Sequence, residues 1–326
     1  DKNELERVRA EWIDGLIAER QEPERVAELV GYRELLGPVH GDPVTGRVSE
    51  VRRFSPGDLR DFHQRAVIPA NTALIAVGDL SLSDLKLLVE RAFGTWTGQS
   101  KLEPAAYQPR TLSDAAHVYF IDRPDSVQSA IFVAQPFPVR TAPGHEVRQV
   151  LVSLLGGQFT SRINTNLRQE HAYTYGAFAH VLATRNSGAL VVTTSVETSV
   201  TAAALHEIMV EMKHAQQPGL GRPITEQETS RARADRTHAL QAHLEHTSRV
   251  AGDLISVYSE GLPYDYFTGY AARIQSASAQ IVQSEAGSRL TPDKLVIVIV
   301  GDRRRAEADL VHGGFTLVPV DPSRLD

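Results

Sequence analysis

Apolar residues recur every three or four positions over residues 3–20, where Leu5, Val8, Trp12, Leu16 and Ile17 trace one stripe through a background of Glu and Arg. That spacing predicts an amphipathic helix. A second helix starts after Pro23 and carries Val26, Leu29 and Val30, and residues 37–46, with two prolines and three glycines, read as a loop. Ser55-Pro56-Gly57-Asp58 has the form of a helix start, because proline loses nothing at a first turn whose N–H is unpaired anyway; the helix is expected over 57–65. Residues 71–79 read as a buried strand ending in a Gly78-Asp79 turn, and 83–93 as a helix closed by Gly94. Residues 99–113 lack periodicity and hold two prolines, the pattern of an interdomain linker. Beyond it, strands are expected at 117–121, 129–135, 188–194 and 294–300, and helices at 144–155, 201–215 and 225–260.

The stretch 154–177 concentrates more chemistry than any other. Phe159, Ile163 and Leu167 fall four apart and share a helix face behind the Gly156-Gly157 pair; Arg168 then closes the helix ahead of a strand bearing Tyr173 and Tyr175. Taken alone, this is a core helix followed by an amphipathic strand.

The chain also repeats itself. Gly78-Asp79 after an apolar run is echoed by Gly301-Asp302, 223 positions later, and Arg25-Val26-Ala27 by Arg249-Val250-Ala251, 224 positions later. Two matches in register imply duplicated units. On this alignment Asp1 corresponds to about residue 225, and the first unit is a half domain.

Composition narrows the function. At 326 residues, 42% apolar and 23% charged, the chain has the make-up of a globular protein of two ordinary domains. A net charge of -6 offers no basic field for nucleic acid. The longest apolar runs, such as 295–300, have the length of strands and fall far short of a bilayer span. The absence of cysteine removes disulfides, thiolate metal sites and a cysteine nucleophile, while leaving cytoplasm and bacterial periplasm both open.

Candidate metal sites are weak. His243-Leu244-Glu245-His246, with His238 nearby, has one residue too few between His and Glu for the inverted zinc motif and reads as a solvated helix face; His206-Glu207 reads as surface. No Ser-His-Asp elbow occurs, and no phosphate-loop lysine follows Gly156-Gly157. Arg168 with a nearby tyrosine survives this screen. A permanently charged donor fork and a phenol can hold a peptide carbonyl or a developing oxyanion, but they cannot activate water.

Residues 155–164, then Leu167-Arg-Gln-Glu-His-Ala-Tyr-Thr-Tyr-Gly-Ala177, resemble the second-domain signature of the insulinase-like (M16) zinc peptidases, in particular the small bacterial two-subunit type. Residues 71–96, with Val-Gly-Asp and Phe-Gly-Thr-Trp, resemble the end of that family's first domain. The resemblance implies an α+β fold of two duplicated αβ-sandwich domains with mixed sheets. The first would be truncated, over 1–98, followed by the linker 99–113, a complete domain over 114–302 and a tail over 303–326. It implies that Arg168 and Tyr175, seven positions apart, form the family's substrate-binding R/Y pair, with Tyr173 the lesser candidate. Alignment to the family sets Gly15 where the distal zinc-ligand Glu would stand, with Glu11 one turn away. The implied function is that of a non-catalytic subunit that binds no cofactor itself and orients an extended, unfolded peptide, held partly by strand addition, while a partner subunit supplies zinc. The alternatives are a single-chain peptidase with its zinc motif upstream of residue 1, and a purely structural assembly subunit.

Overall fold

The structure is a computed structural model that describes residues 1–98 and 117–321. The expected linker at 99–113 lies outside the described residues. The front of the chain forms helices α1 (Lys2–Glu19), α2 (Pro23–His40), the single turn α3 (Val48–Val51), α4 (Pro56–Ala66) and α5 (Leu82–Phe93). Their starts follow from local chemistry. The Asp1 carboxylate accepts from the Asn3 N–H, and Ser55 and Asp58 cap one another's backbone around Pro56. In α2 the helix breaks at Gly37, whose φ of 78° suits glycine, and one more turn runs through Pro38 to His40. The loop expected from residue 37 is therefore a kink before it is a loop.

Residues 71–79 are not a strand. Pro69–Asn71 form one 3-10 turn, Thr72 is extended, and no ladder bonds follow among the described residues. Leu74 is 60% exposed. An apolar run specifies which faces want burial, but a strand also needs a neighbour to meet its N–H and C=O groups.

The second part carries β1 (His117–Asp122), β2 (Gln128–Pro136), α6 (His145–Val152) with a widened π-type turn over Ser153–Gly157, and α7 (Arg162–Asn164) with another over Thr165–Glu170. Strands β3 (Ala177–Ala183) and β4 (Gly188–Glu197) follow, then α8 (Thr201–Gln216), α9 (Glu226–Leu244), α10 (Thr247–Glu260), α11 (Tyr270–Gln275), α12 (Ala279–Arg289), β5 (Val296–Gly301), α13 (Arg303–His312) and β6 (Thr316–Pro319). The single helix expected over 225–260 is two, because His246 turns extended between them. The stretch set apart as a tail carries α13 and β6, and β6 pairs with β1.

Among the described residues the strands form one sheet in the order β3-β4-β2-β5-β1-β6. β1 lies parallel to β5 and β6, and the remaining pairs are antiparallel, so the sheet is mixed and the fold α+β. Alternation in β5 shows why the sheet is covered on both sides. Ile297 and Ile299 face a helical layer that includes Leu151, Leu205, Ile208 and Val282, while Val296, Val298 and Val300 face Val26, Ala27 and Val30 of α2. Each fully buried aliphatic side chain on either face contributes about 1.5–3 kcal/mol relative to exposure.

The docking of α2 depends on Gly31. A Cβ there would lie 2.2 Å from the Phe132 ring, which is fully buried and edge-on to Tyr32 at a centroid separation of 5.3 Å. Alanine is the better helix former by about 1 kcal/mol, but displacing a packed ring costs about 1–3 kcal/mol. Gly31→Ala is therefore expected to lower the urea midpoint. A rise in the midpoint would mean that α2 does not pack against Phe132.

Candidate functional site

The candidate site is built on a short helical segment fixed by buried polar bonds. Arg162, 3% exposed, donates from Nε and Nη2 to the Glu228 carboxylate at 2.7 and 2.9 Å, and from both Nη groups to the carbonyls of Arg222 and Pro223. Fully buried Asn164 donates to the Phe159 carbonyl and accepts from the Ala177 N–H at 2.9 Å. That second bond clamps the start of β3 to α7 and closes the loop carrying residues 168–175. Asn166 donates to Glu207 and Glu211 of α8, and Arg222 pairs with Glu211. Behind the segment, Gly156 permits a close approach: a Cβ there would lie 2.5 Å from the Ala179 Cβ. The glycine thus serves contact between the end of α6 and β3, rather than a tight start to the next helix.

Arg168 and Tyr175 line one groove of about 730 Å³, together with Tyr173, Gln128 and Glu197. Arg168 is half-buried; its guanidinium rests on the Phe159 ring, 4.0 Å from the centroid, and makes no ion pair among the described residues. Tyr175 is 93% exposed. Phe159 itself departs from expectation. It lies in the turn before α7 and is 56% exposed, so it does not share the core stripe of Ile163 and Leu167, both fully buried. The two tyrosines also precede β3 rather than lie on it, so alternation along a strand does not separate them. Exposure does: Tyr173 is half-buried, packs against the core and stacks on His171 at 5.0 Å.

Three contributors went unnoticed in the sequence. Arg162 and Asn164 carried no signal because their partners lie 66 and 13 positions away. Ala172, also in the groove, has φ 55°, a left-handed backbone for which alanine gives no warning.

The described residues do not fit a zinc site. No group of three or more His, Asp and Glu side chains among them could hold a metal ion. Gly15 sits on α1 with nothing within 4 Å of a would-be Cβ, and Glu11 pairs with Arg7 at 2.6 Å. His243 pairs with Asp253 at 3.4 Å, apart from the groove. No helix among the described residues is long and apolar enough to cross a membrane.

The family model described as the peptidase M16 inactive domain matches residues 53–235, more than half of the chain. The chain belongs to the M16 peptidase inactive-domain family. An uncharacterized zinc protease of Mycobacterium leprae is 21% identical over 150 residues, 46% of this M16 chain and 34% of that protein. Another, of Streptomyces coelicolor, is 27% identical over 147 residues, 43% of this chain and 31% of that protein. The chain thus spans about a third of the length of the curated relatives it matches. The crystal structure of a peptidase M16 inactive domain from Pseudomonas fluorescens superposes with a TM-score of 0.82 at 20% identity, covering 93% of this chain and 71% of the other. A protease structure from Helicobacter pylori gives 0.80 at 16% identity, covering 92% and 72%. At these identities the structures speak for the fold.

The anchor of this segment is open to a pH test. Burial pushes the Glu228 carboxyl up, but Arg162, the Thr225 backbone N–H and the Thr225 hydroxyl outweigh it and hold the group at about 2. A carboxyl depressed on folding stabilises fully above its ordinary value of 4.5 and loses that contribution as pH falls towards about 2. Glu228→Gln is expected to flatten the fall in stability over that window. At neutral pH it should cost about 3–5 kcal/mol, because Arg162 stays buried without its counter-charge. Denaturant melts at stepped pH check both; an unchanged acid slope would remove Glu228 from the account.

Proposed function

We propose that this chain is a non-catalytic subunit of a two-subunit M16 zinc peptidase and that it orients the peptide substrate through Arg168 and Tyr175. The observation that carries the reading is their placement on one open groove with donors uncommitted: the guanidinium lies against a ring, and the phenol faces solvent. Both can donate to a scissile carbonyl whose oxygen becomes negative in the transition state, and neither can activate water. On this reading zinc and the general base come from a partner subunit.

An extended, unfolded peptide fits the setting. Among the described residues β3 has a neighbour on one side alone, so its outer edge can accept a further strand just beyond the Asn164 clamp. We also read 1–98 and 114–302 as successive copies of one unit, the first a partial copy, joined through 99–113. Helices α1, α2 and α4 and the apolar run near 72–77 succeed one another in the same order as α9, α10, α12 and β5.

Reconstitution with the co-encoded zinc-bearing subunit tests the reading. Arg168→Ala and Tyr175→Phe should each lower kcat/KM for peptide cleavage by about a hundredfold, the cost of about 3 kcal/mol expected for one lost transition-state donor. The partner's zinc content should not change. Full activity in both variants, or loss of zinc, contradicts the assignment.

A further inference from the structure

A second cavity, of about 360 Å³, lies away from the groove where α6, α9, α10 and α11 converge near the end of β3. Its walls carry Arg140, Arg236, His243, Asp253 and Glu260; His243 and Asp253 face one another at 3.4 Å, while Arg140 and Arg236 make no ion pair with Glu260 among the described residues. Arg140 makes one side-chain hydrogen bond, to the Tyr266 hydroxyl at 2.9 Å, and lies over that ring at 4.7 Å. Among the described residues it has no carboxylate partner. Arg236, across the cavity, reaches Gln149 at 3.5 Å and the neighbouring Asp235 at 3.2 Å. Glu260 of α10 lines the same space, and its buried Oε2 has no hydrogen-bond partner. Burial pushes its carboxyl up, while the Arg140 charge, and the backbone N–H and charge of Arg185, pull the other way. Such a gap is costly when empty of charge, because it leaves the buried Glu260 oxygen without a hydrogen bond and the Arg140 guanidinium without a counter-charge.

Leu240 and Phe267 supply an apolar wall, and the volume suits a small ligand. A lone anion would satisfy the arginines and be repelled by Glu260; a lone cation would do the reverse. A molecule carrying both charges satisfies both sides. We propose that this cavity binds a small zwitterion, a free amino acid or dipeptide, with its carboxylate on Arg140 and Arg236 and its ammonium on Glu260. The site is separate from the Arg168 groove and does not depend on the function proposed for that groove.

Calorimetric titration of the intact chain tests it with three probes: the dipeptide Gly-Leu, its N-acetyl form and its C-terminal amide. The free dipeptide should bind saturably, and each cap should weaken binding at least about tenfold, the worth of one charge-assisted bond. Glu260→Gln should abolish the penalty for acetylation, and Arg140→Gln the penalty for amidation. Arg168→Ala should leave all three affinities unchanged. Should Arg140→Gln fail to fold, Glu260→Gln, at a half-exposed position, carries the test. Equal affinity for all three probes, no saturation below about 10 mM, equal competition by inorganic phosphate, or loss of binding in Arg168→Ala would each overturn the proposal.

Discussion

The arrangement of the groove depends on burying one arginine. Arg162 places a permanent charge in the interior, which is tolerable only because Glu228 and two carbonyls take up its donors. That requirement ties α7 to the first turn of α9, more than sixty positions away in sequence. Once α7 is fixed, Asn164 has one N–H to accept from, that of Ala177, and the loop between them has both ends pinned. Arg168 and Tyr175 sit inside that span. Their mutual placement is therefore inherited from bonds made beneath them rather than from contacts of their own.

The sheet behind the loop imposes a second constraint. Its central strands are apolar on both faces, so each face must be covered, and the covering layers come from distant parts of the chain: α2 on one side, α6, α7 and the helices after β4 on the other. Gly31 and Gly156 mark where these layers come closest, at Phe132 and Ala179. Function and fold meet at Gly156, because the helix end it seats against β3 leads directly into the segment that carries Arg168.

Much of this was legible in the sequence. The uninterrupted Leu-Val-Ile-Val-Ile-Val run became β5, and the 129–135 strand appeared with one residue more at each end. Local signals, such as Ser55-Pro56-Gly57-Asp58, placed helix starts within a residue or two. Non-local requirements did not show. The run at 71–79 has the composition of a strand and no ladder, and β6 is four residues long and ends in proline, too short for its pattern to register. At the site, the resemblance to the M16 second-domain signature singled out Arg168 and Tyr175, while Phe159 was misassigned because helical periodicity was extended one turn too far back. The Arg162–Glu228 pair, the Asn164 clamp and the left-handed Ala172 became visible once the chain was folded, since each depends on what lies opposite.

The account stands on where the two donors meet the substrate. A structure of the reconstituted two-subunit peptidase holding an uncleavable peptide would place the scissile carbonyl oxygen within about 3 Å of the Arg168 guanidinium or the Tyr175 hydroxyl. A peptide bound with both side chains more than about 6 Å from that oxygen, and no water between them, would contradict it.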